Sequence, residues 1–260
     1  MSKSGDLWMK SRPIITRVTD NVYAVIRRSY FTCSYLVVLH EGVFLIDAGM
    51  NSNGADMLFA LSQIGRPVDD VRAILLTHWH NDHSAGASEI QRLSGASVYY
   101  HDGEAKYLTR ETASVGLRAK LSELVPESGP LVLLKGLLGT AATRAVEATQ
   151  HLNDNDLVEK EFQVIATPGH TEGHVSYYYH PQKILFAGDA MAVVGGHTRY
   201  MARLVTPDLE RARQSMLRCL EFPIDYLCPG HREPLMSGVA DECAELKRRI
   251  ESGARWPPLG

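Results

Sequence analysis

Two hydrophobic periods alternate along the chain. Period-two runs rich in β-branched and aromatic residues predict strands over residues 14–16, 22–27, 34–40 and 43–46, with Asp20-Asn21 and Glu41-Gly42 as hairpin turns. A helix is predicted over 54–64, closed by Gly65 and Pro67, then a strand over 72–76, a helix over 84–93 and a strand over 97–101. Helix-period apolar positions follow at Leu117, Leu121 and Leu124, break at Pro126 and Pro130, and resume at Leu134, Leu137, Leu138 and Ala141. The last third returns to strands over 162–167, 174–179, 183–187 and 225–228, with helices over 208–220 and 239–251. Strands interleaved with single helices in both halves predict an α/β protein, two sheets packed together with helices outside. The expectation is one domain over residues 1–260, carrying a helical insertion at about 104–150.

Composition narrows the classes. A formal charge of −3 gives no general attraction to nucleic acid or to an anionic membrane, so neither is an expected partner. No window approaches the ~18 uninterrupted apolar residues of a membrane span, and the N-terminal stretch lacks the apolar core of a signal peptide. Cys33, Cys219, Cys228 and Cys243 show no CxxC spacing, which points to reduced thiols and a cytoplasmic location.

Histidine is the informative residue, because three of the eleven fall at His78, His80 and His83, with Asp82 between the last two. They follow directly on a predicted strand and open a helix. Imidazole nitrogen and carboxylate oxygen are the usual ligands of zinc and related divalent ions. His78 and His80, two apart in an extended turn, share a side; Asp82 and His83 face a neighbouring point, which suits two ions better than one. A surface loop with incidental histidines is the alternative.

This segment, Thr77-His78-Trp79-His80-Asn81-Asp82-His83, resembles the HxHxDH signature of the metallo-β-lactamase fold superfamily. Four further stretches resemble that family's other motifs in order: Leu45-Ile46-Asp47-Ala48-Gly49, Thr167-Pro168-Gly169-His170-Thr171-Glu172-Gly173-His174, Phe186-Ala187-Gly188-Asp189 and Pro229-Gly230-His231. The resemblance implies an αββα sandwich of two mixed β-sheets flanked by helices. It also implies two divalent ions, zinc first with manganese or iron as alternatives. His78, His80 and His170 would hold one ion, Asp82, His83 and His231 the other, and Asp189 would bridge them. Asp47 and His174 would orient ligands, although His174 also reads as an ordinary buried histidine, Asp189 as a turn cap and His231 as a loop residue.

Such a centre implies hydrolysis by a metal-bridging hydroxide, since coordination brings the pKa of water from 15.7 to about 7. Asp82 and Asp189 are then the catalytic carboxylates, with Asp82 a candidate for moving the proton. Departures from the family's branches bear on the substrate. Metallo-β-lactamases generally lack a bridging aspartate. Persulfide dioxygenases typically carry a cysteine where this chain has His174. Glyoxalase II adds a C-terminal helical domain for which residues 232–260 leave little room. Homoserine lactonases often have a tyrosine where Ala192 stands. The expected reaction is hydrolysis of an ester-type carbonyl in a small molecule: a thioester, lactone or carboxylic ester. A phosphodiesterase and a low-turnover sensor of an acyl ligand are the rivals.

The insertion reads either as a lid over an apolar pocket or as a packing or homodimer surface. Gly195-Gly196 permits a tight loop that would bring His197, Arg199 and Tyr200 to the substrate, or simply a surface loop. Tyr177-Tyr178-Tyr179 reads as an alternating strand.

Overall fold

A computed structural model describes residues 12–27, 31–109, 145–147 and 149–257. The chain divides into two compact units. The first comprises residues 1–75, 79–98 and 107–149, the second 76–78, 99–106 and 150–260. The architecture is α/β, with two mixed sheets flanked by helices.

In the first unit β1 (Ile14–Arg17), β2 (Val22–Arg27), β3 (Thr32–Leu39) and β4 (Gly42–Ile46) form an antiparallel meander. The two predicted turns make the β1–β2 and β3–β4 hairpins, and Val22 lies opposite Val37 while Tyr35 lies opposite Ile46. β5 (Val71–Leu75) then pairs parallel to β4, Leu45 beside Ile74. All five residues of β4 are buried, as expected of a strand covered on both faces. Helix α1 (Ala55–Gln63) packs on β2 through Met57, Ala60 and Leu61. Two further strands, β6 (Ser97–His101) and β7 (Thr149–Leu152), have most of their residues in the second unit.

The helix predicted over 84–93 is two helices, α2 (Asn81–Ser84) and α3 (Ala87–Ser94). At Gly86, between them, the N–H donates to the Gly49 carbonyl, outside the helix, and a Cβ would lie 2.3 Å from the Ala48 carbonyl oxygen. α4 (Ala105–Leu108) opens the predicted insertion, whose residues 110–144 lie outside the described residues.

In the second unit β8 (Leu157–Val158), β9 (Phe162–Ala166), β10 (Val175–Tyr179) and β11 (Ile184–Gly188) run antiparallel, and β14 (Tyr226–Pro229) pairs parallel to β11. β12 (Ala192–Val194) and β13 (His197–Arg199) form a separate hairpin. α5 (Leu209–Cys219) begins at Asp208, whose side chain accepts the Arg211 N–H, and buries Ala212, Ser215, Met216 and Cys219 at helical spacing. α6 (Val239–Glu251) buries Val239, Leu246 and Ile250 in the same apolar cluster as Leu185, Leu227 and Trp256. β10 departs from the expected alternation, because all five of its residues are buried. Its tyrosines fit there because the Tyr177 hydroxyl donates to the Leu76 carbonyl and that of Tyr178 to the Pro223 carbonyl, each at 2.7 Å.

Candidate metal centre

Each unit places chemistry-bearing residues where two parallel strands end, a recurrent location for binding sites in α/β sheets. In the first unit the chain leaves β4 through Asp47, a non-glycine residue in the left-handed region at φ 59. The Asp47 N–H donates to the Leu75 carbonyl, and the next N–H, Ala48, donates to that of His83. This brings Asp47 Oδ2 within 2.8 Å of His83 Nδ1, both residues almost wholly buried. The ionised carboxylate accepts, so Nδ1 carries the proton and Nε2 keeps its lone pair for a metal. Nε2 lies 3.8 Å from Asp82 Oδ2.

That pairing makes a prediction. Asp47→Ala should weaken metal binding by about 10–100-fold, while Asp47→Asn, which tolerates the left-handed backbone and keeps an acceptor, should lose less. Competition against a metallochromic chelator measures both.

In the second unit β11 ends at Gly188, and Asp189 follows it. A Cβ at Gly188 would lie 2.7 Å from His174 Nε2, so glycine allows this close approach. The Asp189 backbone N–H donates to His174 Nε2 at 2.9 Å. His174 Nδ1 therefore bears the proton and donates to Thr167 Oγ1 at 2.7 Å. Thr167 in turn donates to Ser176 Oγ at 3.1 Å, and Ser176 donates to the Ala187 carbonyl at 3.0 Å. Each step fixes the direction of the next, so the network defines a neutral His174 and holds the strand end from which Asp189 projects.

Asp189 Oδ2 lies 3.3 Å from His170 Nε2 and 3.3 Å from His231 Nε2. Two ligands each ~2.0–2.1 Å from a tetrahedral ion stand about 3.3 Å apart, so these separations fit ligands that share ions better than good hydrogen bonds. His231 follows the end of β14, where the Gly230 N–H donates to the Gly188 carbonyl at 2.8 Å. His78, fully buried, has its ring centroid 4.8 Å from that of His170 and its Nδ1 3.0 Å from Thr77 Oγ1.

Among the described residues the first unit supplies His80, Asp82 and His83 as donors, and the second His78, His170, Asp189 and His231. Nitrogen and carboxylate donors in these sets fit zinc or a related divalent ion. Asp82, at 28% side-chain exposure, is the more solvent-accessible of the two carboxylates, against 3% for Asp189.

His197, Arg199 and Tyr200 are engaged elsewhere. His197 Nδ1 lies 2.9 Å from Glu242 Oε1 on α6, and the Thr198 N–H donates to Oε2. The His197 contact, then the Thr198 N–H, holds the Glu242 carboxyl below its ordinary pKa. Arg199 donates to the Thr198 carbonyl. Tyr200 is buried against Trp256 with the Arg213 guanidinium over its ring. None of the three belongs to a donor group among the described residues.

Sequence reasoning passed over Trp79. It lies between two of the histidines, stacks on Tyr107 with centroids 4.2 Å apart, and meets the His80 ring edge-on at 4.6 Å. Its position between His78 and His80 was the available signal.

Comparison with known proteins bears on this arrangement. The family described as the metallo-beta-lactamase superfamily matches residues 30–231. A probable metallo-hydrolase, YflN of Bacillus subtilis, is 29% identical over 80% of this chain and 82% of its own. A hydroxyacylglutathione hydrolase of Pectobacterium atrosepticum is 30% identical, but the match spans 63% of this chain and 49% of that protein. Among solved structures, MEM-A1, a subclass B3 metallo-beta-lactamase from a soil metagenome library, superposes with a TM-score of 0.64. It is 22% identical, with 94% of each chain covered, a likeness of fold.

Proposed function

Because the chain belongs to the metallo-beta-lactamase superfamily, we propose that it is a dinuclear, zinc-dependent hydrolase of an ester-type carbonyl in a small molecule. The observation that carries the two-metal reading is Asp189 Oδ2, one carboxylate oxygen 3.3 Å from both His170 and His231. An oxygen standing between these two histidines would suit a residue shared by two ions. His78, His80 and His170 would hold one ion, and Asp82, His83 and His231 the other. When bound, the ions supply Lewis acidity toward a carbonyl oxygen and activate water at neutral pH.

The chain's own residues supply the rest. Asp47 fixes the ring of His83, and the His174 network fixes the backbone of Asp189. Asp82 is exposed enough to exchange a proton with solvent or a leaving group. The Trp79–Tyr107 stack, with Tyr107 37% exposed, offers apolar surface beside His80 for the acyl part of a substrate. The relatives named hydroxyacylglutathione hydrolase support acyl transfer to water.

A cytoplasmic location is part of this reading. No helix among the described residues is long and apolar enough to cross a membrane. The four cysteines are unbridged; burial pushes the Cys219 thiol up to about 12 and that of Cys243 to about 11, which keeps both unreactive.

Zinc-loaded protein offered an aryl ester, an aryl thioester, a lactone and a bis-aryl phosphate tests the reaction class. Turnover of one or more acyl substrates, lost on chelation, supports the proposal. Turnover of the phosphate alone replaces it with a phosphodiesterase. Tight binding of an acyl ligand without turnover replaces it with a sensor.

A further inference from the structure

Glu104 is not among the candidate metal donors of the described residues, yet it is 1% exposed. It closes the single turn Asp102–Glu104 after β6, and its Oε1 accepts the Gly173 N–H at 2.7 Å. Two glycines make this contact possible. A Cβ on Gly103 would lie 2.8 Å from Gly173 Cα, and one on Gly173 would lie 2.8 Å from Glu104 Oε1 and 2.9 Å from the Glu104 nitrogen. The turn is itself braced, since the Gly103 N–H donates to His101 Nδ1 at 3.1 Å.

What Glu104 grips is the short loop between two functional histidines. Gly173 directly precedes His174, which receives the Asp189 N–H, and stands three residues after His170, whose Nε2 is 3.3 Å from Asp189 Oδ2. A buried carboxyl is costly to keep out of water, and here its oxygen meets a backbone donor in the loop that both histidines flank. Lys106 Nζ lies 3.9 Å from the carboxylate of Glu172 in the same loop, but both side chains are more than half exposed, so that pair contributes little.

We propose that Glu104 is a positioning residue that sets metal affinity by holding the His170–His174 loop in its ligating conformation. The inference rests on the metal-centre reading. Glu104 touches neither substrate nor ion in this role; it acts through Gly173 on the angles at which His170 and His174 stand.

The test compares Glu104→Ala, Glu104→Gln and Glu104→Asp, with Lys106→Ala as a surface control. Glu104→Gln keeps an oxygen acceptor, whereas Glu104→Asp keeps the charge and withdraws it by about one C–C bond, ~1.5 Å. Zinc affinity is read by competition with a metallochromic chelator, alongside metal content, kcat and KM on a responsive ester. Glu104→Ala and Glu104→Asp should weaken the more sensitive ion by about 10–100-fold and lower kcat more than they raise KM. Glu104→Gln should recover most of that loss, and Lys106→Ala should match wild type. If Glu104→Ala fails to fold, Glu104→Asp decides alone. Wild-type zinc affinity in Glu104→Asp, or a Glu104→Gln protein as impaired as Glu104→Asp, overturns the inference. Absence of metal binding by wild type overturns the metal centre itself, a distinguishable failure.

Discussion

Asp189→Ala should lower kcat/KM on an ester substrate by about 10³-fold or more, equivalent to ~4 kcal/mol of transition-state stabilisation. The same variant should retain about one zinc per chain or fewer where the proposed centre would hold about two. The argument is electrostatic as well as geometric. In the native arrangement one Asp189 oxygen stands 3.3 Å from two histidine nitrogens, in a residue buried to 3% exposure. Removing it takes the proposed shared ligand and its negative charge from between these two nitrogens. Asp189→Asn separates these effects, since it keeps the shape and an oxygen but loses the charge. It should fall between wild type and alanine in metal content. Plasma emission spectrometry on desalted protein, paired with initial rates, measures both quantities. Wild-type metal content and rate in Asp189→Ala would remove the bridging role.

The second large effect concerns stability. Arg27 at the end of β2 and Asp56 in the first turn of α1 form an ion pair at 2.8 Å, with side chains 9% and 6% exposed. Arg27→Met strands the Asp56 carboxylate in a buried position without its guanidinium and should cost about 3–5 kcal/mol. The double variant, Arg27→Met with Asp56→Leu, removes the uncompensated charge and should recover most of that loss. Urea unfolding of the four proteins of this cycle measures the coupling. A single variant within about 1 kcal/mol of wild type contradicts the account, because that is the range of an exposed pair.

The parts of the protein that were legible in sequence share a short range. His78, His80, Asp82 and His83 lie within one strand-to-helix connection, so their spacing alone marks them as candidate donors. The longer strands and α5 and α6 were legible because β-branched runs, an N-capping aspartate and helical apolar spacing act locally. Asp189 and His231 rested on likeness to a family, since nothing in Gly188-Asp189 or Gly230-His231 by itself names a ligand. What escaped is non-local or small. The contacts Gly86 makes at the break are with Ala48 and Gly49, 38 and 37 positions earlier in the chain. Glu104 and Gly173 are 69 residues apart, and no periodicity links them. β7, β8, β12 and β13 span two to four residues each, too short for a pattern to rise above chance. Tyr200 read as a polar handle for substrate because a tyrosine after a glycine turn fits that role; its packing against Trp256, 56 positions later, was invisible.

The proposed function is a two-ion centre that hydrolyses an ester-type bond. Its most direct test is to strip the purified chain of metal and titrate zinc back, following hydrolysis of the most responsive ester or thioester. The account predicts no turnover in the stripped protein and a rate that saturates near about two zinc ions per chain. Full turnover after exhaustive stripping, or saturation at about one ion, would contradict it.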